Sequence, residues 1–214
     1  MHVSAAPLRS TYKSKEGFSD DALQLIHADL QSLCLREITH YYFDGKGKAF
    51  RPTLVLLMAR SCNATCGNSR EVTMAQRTIA RIAEMIHTAS LIHDDIIDQA
   101  DTRRGKLAAS RIWGERKAIL AGDFILSTAS VALARLGNEH VISMVAQVVE
   151  DLVRGEFMQL GSKENENERF AHYLLKTFKK TASLMAHSCK AVGNASSPIF
   201  STVLFYYYVT ILLT

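Results

Sequence analysis

Apolar residues recur three or four positions apart along most of this chain, and the longest such stretch lies between residues 79 and 105. Neither Gly nor Pro interrupts this stretch before Gly105, and its apolar positions include Ile79, Ile82, Ala83, Ile86 and Ala89. Because this spacing repeats with the period of an α-helix, it predicts an amphipathic helix as the central element.

Other segments of the chain show the same periodicity. We expect helices at residues 19–38, 116–136, 139–160 and 170–192, and a buried apolar segment at 53–60, directly after Pro52. Strand-like alternation is scarce, only three prolines occur, and 48% of the residues are hydrophobic. These features predict an all-α fold with one sizeable core.

The polar face of the central helix carries three carboxylates. Asp94 and Asp98 are four residues apart, so they lie above one another on one face, with Asp95 beside them and His87 two turns earlier. Like charges at this spacing repel each other, and a divalent cation would remove the repulsion. Carboxylates without neighbouring Cys ligands suit Mg²⁺, which also binds phosphate oxygens. The sequence therefore predicts a magnesium site that receives a phosphate-bearing substrate.

Two cationic clusters flank these acids in the sequence. Arg103 and Arg104 follow them directly, and Lys48 and Arg51 lie upstream in the glycine-rich segment GKGKAFRP. One guanidinium group can donate two parallel hydrogen bonds to two phosphate oxygens, and a glycine-rich turn lets the backbone approach an anion closely. Two such clusters around one metal site could hold two phosphorylated ligands at once.

These elements form an ordered set: GKAFRP at 47–52, His87, DDIID at 94–98, RRG at 103–105, Gly122–Asp123, GEFMQ at 155–159 and KTASL at 180–184. In this set the chain resembles the trans-prenyl diphosphate synthases over about residues 20–192. It is most similar to the long-chain decaprenyl and solanesyl diphosphate synthases, which make the ubiquinone side chain. The resemblance implies an isoprenoid-synthase helical bundle.

The resemblance also implies a reaction. An allylic diphosphate, such as farnesyl diphosphate, would condense with isopentenyl diphosphate to give a long-chain trans-polyprenyl diphosphate. Mg²⁺ would be the cofactor, held by Asp94, Asp95 and Asp98. By position in the family motifs, Arg103 would contact the allylic diphosphate, and the residues that bind isopentenyl diphosphate would be Lys48, Arg51, His87 and Arg104.

Two further residues match family positions near the reacting carbons. There, a backbone carbonyl and a hydroxyl of Lys180 and Thr181 would steady the allylic cation; an ordinary surface Lys-Thr pair is the alternative interpretation. Ala89 and Ser90, one turn before Asp94, are small. We expect small side chains at these positions to leave a channel open for a long polyprenyl product.

The resemblance divides the chain into three parts. We expect residues 1–18 to form a disordered N-terminus, 19–192 a partial polyprenyl synthase domain, and 193–214 a divergent apolar tail. The family carries a second Asp-rich motif, but no paired Asp follows Val192. We therefore expect the C-terminal helices to be missing and the chain alone to have little activity. For the tail, three interpretations remain open: an end without a role, a helix on the exposed core, and a membrane contact.

Composition adds few constraints on partners. The net charge of +4 is dispersed and no dense basic tract occurs, so we expect no nucleic-acid partner. Cys62 and Cys66 lack the further ligands that zinc needs. The resemblance implies a homo- or hetero-oligomer with a second synthase subunit, located in the mitochondrion, although residues 1–17 form no clear transit peptide. The alternative function is a catalytically inactive subunit or decoy that pairs with full-length synthase subunits.

Overall fold

A computed structural model of the protein describes residues 36–43, 49–65, 71–160 and 166–194. In chain order, the elements are α1 (Arg36–Tyr42), α2 (Phe50–Thr65), α3 (Met74–Ile97), β1 (Thr102–Arg103), β2 (Lys106–Leu107), α4 (Ala109–Trp113), α5 (Glu115–Arg135), α6 (Glu139–Leu160), α7 (Glu166–Thr177), a π-helical turn (Phe178–Ala182) and α8 (Ser183–Asn194). The predicted all-α fold is confirmed, and the two short strands form one hairpin.

The central helix α3 begins with a capping box. The Thr73 side chain accepts a hydrogen bond from the Gln76 backbone N–H, and the Gln76 side chain accepts one from the Thr73 backbone N–H. These two bonds satisfy backbone donors that every helix start leaves without an intrahelical partner. The first turn of α3 is thereby fixed five residues before the predicted stretch.

The far end of α3 differs from the sequence prediction. The helix ends at Ile97 and does not continue towards Gly105; Gln99, two residues later, has a positive φ of 53°, which is not a helical angle. Beyond this point β1 pairs with β2 in an antiparallel register, with Arg103 opposite Lys106. The hairpin turns the chain back, so that both arginines of the RRG motif lie beside the helix that carries the acids.

The hydrophobic core surrounds α3, which packs against α5, α2 and α8. Its buried side chains include Ile79, Ile82, Met85 and Ile92. These positions are three or seven residues apart, which places them on one helical face and confirms the helical interpretation of the central stretch. The helices predicted at 116–136 and 139–160 are α5 and α6.

The last predicted helix, residues 170–192, is interrupted. After α7, residues Phe178–Ala182 form a wider π-helical turn before α8 continues to Asn194. The turn lies against α6. Turns of this kind are rare and occur often at functional sites.

By length and composition, α5 is the one helix within the described ranges that could cross a membrane. It packs along α3 as part of the bundle, and core helices of soluble bundles have the same composition. Several sequence predictions lie outside the described residues: the N-terminal region 1–18, most of the 19–38 helix, Lys48, Cys66 and the tail from residue 195.

Candidate active site

Asp95 lies at the centre of a buried polar cluster. Its side chain is 1% exposed, and its Oδ1 accepts hydrogen bonds from Nε of Arg103, at 2.7 Å, and from the same guanidinium's terminal nitrogen. The Tyr42 hydroxyl donates to Oδ2 at 3.3 Å and accepts from the backbone N–H of Ala109, also at 3.3 Å. Asp95 therefore joins α1, α3 and the hairpin, and it fixes the position of Arg103.

The electrostatics of this cluster follow from its burial. Burial, together with the neighbouring Asp95 carboxylate, raises the pKa of the Tyr42 hydroxyl to about 12. The bond to Asp95 raises the pKa of Arg103. Both groups therefore keep their protons at neutral pH, and both act as donors to the carboxylate.

Asp94 faces another set of residues. Its Oδ2 lies 3.7 Å from Nζ of Lys180, which donates to Oε2 of Glu156 at 2.7 Å and to Oε1 of Gln159 at 2.9 Å. Burial raises the pKa of Asp94, Lys180 lowers it, and the charges of Glu156 and Asp98 raise it. The acids of α3 and the π-helical turn, far apart in sequence, are thus brought together.

A cavity of about 340 Å³ opens beside Asp94, between α3 and α6. Its lining is mostly apolar and includes two acids. The lining residues are Ser90, His93, Asp94, Ile97, Leu152, Val153, Glu156 and Phe157. A second cavity of about 390 Å³ lies between α3, α5 and α6, and its lining includes Ile82, Leu133 and Val145. Ser90 lines the first cavity as expected, whereas Ala89 is buried and lines neither cavity.

A cationic cluster surrounds His87. Burial, together with the charges of Arg51, Arg104 and Arg103, lowers the pKa of this histidine to about 3. Burial lowers the pKa of Arg51 as well, and it raises that of the neighbouring Glu84. Nε of Arg51 is buried and has no hydrogen-bond partner. A neutral histidine among arginines, one of them with an unused donor, forms a site suited to an anion.

His93 links α3 to α5. Its Nε2 lies 3.3 Å from the carbonyl oxygen of Ile119 and 3.4 Å from Oδ1 of Asp123, which is 59% exposed. The ring lies over Gly122, where an added Cβ would come within 2.7 Å of its Cδ2. The Gly122–Asp123 motif therefore holds this histidine at the cavity wall.

The structure leaves Thr181 exposed next to Lys180, and it brings seven of the predicted site residues together beside α3: Arg51, His87, Asp94, Asp98, Arg103, Arg104 and Lys180. Sequence reasoning missed Tyr42, Glu84 and Asp151. Tyr42 lies 53 residues from its partner Asp95, and no local spacing reveals such a contact. Asp151 lies four residues before Gly155 on one face of α6, and this helical spacing could have been found in the sequence.

The metal prediction can be compared with the positions of the acids. Within the described ranges, no three His, Cys, Asp or Glu side chains converge on one point. Asp95 points to Arg103 and Tyr42, so Asp94 and the exposed Asp98 are the acids left on the open side of the helix. Mg²⁺ commonly takes one or two carboxylates together with waters and substrate phosphates. These two carboxylates fit such an ion.

Comparison with known proteins bears on the same region. A family model described as polyprenyl synthetase matches residues 32–204. The chain is 61% identical over 192 residues to an all trans-polyprenyl-diphosphate synthase of Mus musculus, covering 90% of this chain and 46% of the mouse protein. It is 70% identical over 164 residues to the Homo sapiens protein of the same name, covering 77% and 40%.

The chain thus spans less than half the length of these relatives. Among more distant ones, it is 44% identical over 191 residues to solanesyl-diphosphate synthase 1, mitochondrial, of Oryza sativa subsp. japonica, covering 81% of this chain and 44% of that protein. A decaprenyl diphosphate synthase from Rhodobacter capsulatus has the same fold, with a TM-score of 0.77 and 26% identity over 88% of this chain and 58% of its own.

A polyprenyl synthase from Caulobacter crescentus, solved with calcium and isoprenyl diphosphate, superposes with a TM-score of 0.74 and 27% identity. The match covers 85% of this chain and 54% of that structure. The expected isoprenoid-synthase bundle is therefore confirmed.

Proposed function

The chain belongs to the polyprenyl synthetase family, and from this premise we propose that it takes part in condensing an allylic diphosphate with isopentenyl diphosphate to give a long trans-polyprenyl diphosphate. One observation carries the proposal: Arg103 lies near both Asp94, which faces Lys180, and His87, so it joins the acids to the cationic cluster that Arg51 and Arg104 complete. Such an arrangement suits two diphosphate esters, one near the acids and one within the cationic cluster.

The acids are proposed to hold Mg²⁺. Asp94 and Asp98 would bind the ion, and Asp95, the third predicted ligand, would serve it by keeping Arg103 in place. When bound, Mg²⁺ supplies positive charge to the diphosphate as that group departs. The calcium and isoprenyl diphosphate in the Caulobacter relative support a divalent cation in this family.

The two substrates would occupy different parts of the cleft. Arg103 would contact the allylic diphosphate, while the apolar cavity bordered by Ser90 and Leu152 would receive its hydrocarbon chain. Isopentenyl diphosphate would lie near Arg51, His87 and Arg104, with Lys48 from the adjoining segment. Nε of Arg51, buried without a partner, would donate to this second diphosphate.

Lys180 and Thr181 would act near the reacting carbons. Lys180 is fixed by Glu156 and Gln159 at the edge of the cavity, and Thr181 is the next residue of the π-helical turn. We propose that backbone and hydroxyl oxygens of this pair stabilise the allylic cation while its diphosphate leaves. Preorganised dipoles of this kind stabilise charge as it develops in the transition state.

The names of the relatives support the finer parts of the proposal. Some relatives are named decaprenyl or solanesyl diphosphate synthases, so we propose a role in making the ubiquinone side chain, and the rice relative is named mitochondrial. We propose the same compartment for this protein. Because the chain spans less than half the length of the mouse and human relatives, the activity of the whole protein is part of the proposal.

A second candidate function is that of a non-catalytic subunit. Helices α4 and α5 expose several large apolar side chains, namely Ile112, Ile119, Leu120 and Val131. Exposed apolar surface of this kind is typical of a face that contacts another protein. We propose that, in this case, the chain pairs with another synthase subunit, as a homo- or hetero-oligomer.

One experiment separates the two functions. The purified chain is incubated with Mg²⁺, farnesyl diphosphate and labelled isopentenyl diphosphate, with and without a long-chain synthase subunit, and the products are separated by chromatography. Catalysis by this chain predicts labelled product that Asp94→Ala abolishes. The non-catalytic role predicts product that needs the second subunit and survives Asp94→Ala. Absence of product in every mixture would contradict both.

A further inference from the structure

A buried ion pair joins α6 to the π-helical turn, outside the contacts that the proposed function uses. Asp151 of α6 has a side chain that is 6% exposed. Its Oδ1 accepts from Nζ of Lys179 at 2.6 Å, and its Oδ2 accepts from the hydroxyl of Ser183 at 2.6 Å. One carboxylate thus holds a residue within the π-helical turn and the first residue after it.

Gly155, one turn further along α6, brings the same segment close. A Cβ on this glycine would lie 3.1 Å from the backbone nitrogen of Lys180 and 3.3 Å from Cβ of Lys179. The absence of a side chain therefore allows the backbone of the π-helical turn to rest on α6. Next on the helix, Glu156 binds the Lys180 ammonium group.

The π-helical turn needs these contacts. Its hydrogen bonds span five residues, a geometry that is rare in proteins and is usually confined to single turns. Lys179 and Lys180 are adjacent, yet their ammonium groups reach Asp151 and Glu156, which are five residues apart on α6. In the present conformation of the turn, both contacts form together.

We propose that Asp151 is a positioning residue, which fixes the π-helical turn through Lys179 and Ser183 and thereby keeps the Lys180 ammonium group beside Asp94. The step from Lys180 to diphosphate binding rests on the proposed function, whereas the step from Asp151 to Lys180 does not. Asp151 itself does not touch the cleft. Its carboxylate is kept ionised, because the hydrogen bonds from Lys179 and Ser183 lower its pKa although burial alone would raise it.

The first test measures the position of Lys180 directly. The chain is labelled with ¹³C at the ε carbon of lysine, and the Lys180 NMR signal is identified by its loss in Lys180→Arg. Asp151→Asn keeps the size of the side chain and removes the charge that binds Lys179, so it should shift the Lys180 signal. Glu150→Gln is the matched control, since Glu150 is exposed and pairs with Arg154. An unmoved Lys180 signal in Asp151→Asn would overturn the proposal.

A second variant covers loss of folding. Ser183→Ala removes the hydrogen bond to Oδ2 and leaves the Lys179 pair intact. It should shift the Lys180 signal in the same direction as Asp151→Asn and by less. If Asp151→Asn fails to fold and Ser183→Ala leaves the signal unchanged, the proposal is likewise overturned.

The third measurement separates positioning from general stabilisation. Calorimetry gives the affinity for pyrophosphate in the presence of Mg²⁺ for Asp151→Asn, Lys180→Met and the double variant. Residues of one contact network couple, so Asp151→Asn should weaken binding roughly three- to tenfold in the native background and have no further effect beside Lys180→Met. Equal losses in both backgrounds would indicate a structural role only. If the native chain binds no pyrophosphate, the proposed function fails, while the NMR result still decides the role of Asp151.

Discussion

At the scale of single residues, two acids that are adjacent in the sequence differ in their burial and in their hydrogen-bond partners. Asp95 is 1% exposed and bonded to Arg103, whereas Asp94 is half-buried and its Oδ2 lies 3.7 Å from Nζ of Lys180. A buried carboxylate with a guanidinium partner is already neutralised, so it attracts a cation less than its neighbour does. The two acids therefore have different roles: one fixes an arginine, and the other is available to a metal.

His87 provides a prediction about pH. Its ordinary pKa of 6.5 is lowered to about 3 in the folded protein, first by burial and then by the arginines around it. Between pH 6.5 and pH 3, His87 is protonated in the unfolded chain but neutral in the folded chain. The stability that is present above pH 6.5 is therefore lost as the pH falls towards 3. We expect His87→Gln to reduce this loss, by about 2–3 kcal/mol between pH 7 and pH 4.

Urea unfolding at a series of pH values measures this difference. The native chain should lose stability more steeply than His87→Gln below pH 6.5, and the two curves should run parallel above it. Parallel curves over the whole range would show that His87 is not held neutral by its surroundings.

The sequence reveals some of these residues and hides others. Asp94, Asp98 and His87 lie on one helix, and the period of an α-helix is enough to relate them. The pairing of Asp95 with Arg103 depends on a hairpin whose turn needs positive φ at Arg104, and nothing in the local pattern of apolar residues indicates that turn. Tyr42 reaches Asp95 only through the tertiary fold, so no spacing could reveal it.

At the scale of elements, the crossing of α3 and α5 depends on close contact. Gly122 is buried beneath the ring of His93, and the two helices meet along much of their length. Glycine inside a helix costs about 1 kcal/mol relative to alanine. Its presence here is explained by the space that His93 needs.

We therefore expect Gly122→Ala to have opposite effects in two backgrounds. In the native chain the added Cβ would meet Cδ2 of His93 at 2.7 Å, and overpacking of this kind costs roughly 1–3 kcal/mol, which outweighs the gain in helix propensity. In a His93→Ala background the clash is gone, so the same change should stabilise by up to about 1 kcal/mol. Urea unfolding of the four chains measures both effects. Destabilisation of equal size in the two backgrounds would refute this explanation of Gly122.

Helices and their turns differ in how far the sequence predicts them. Hydrophobic periodicity located α3, α5 and α6, because each buries one continuous face. It could not indicate the π-helical turn at Phe178–Ala182 or the end of α3 at Ile97. Both are set by contacts with other elements: α6 through Asp151 and Gly155 in the first case, and the Asp95–Arg103 pair in the second.

At the scale of the whole molecule, the bundle contains two largely apolar cavities, and charged side chains border one of them. The first cavity lies between α3 and α6 and is bordered by Asp94 and Glu156, and the second lies between α3, α5 and α6 and is lined mostly by aliphatic side chains. A ligand with a charged head and a long hydrocarbon chain matches this division. The family match covers residues 32–204 and includes α3, α5 and α6, the helices that line the two cavities.

The most direct measurement of the central claim is calorimetry of farnesyl diphosphate binding to this chain, with and without Mg²⁺. The account predicts an affinity that requires the metal and falls at least about tenfold, or 1.4 kcal/mol, in Asp94→Ala and in Asp98→Ala. Asp101→Ala is the control, since Asp101 is 75% exposed and pairs with Arg111 away from the cavity, and it should bind as the native chain does. Binding that is indifferent to Mg²⁺, or unchanged by replacing Asp94 and Asp98, would contradict the account.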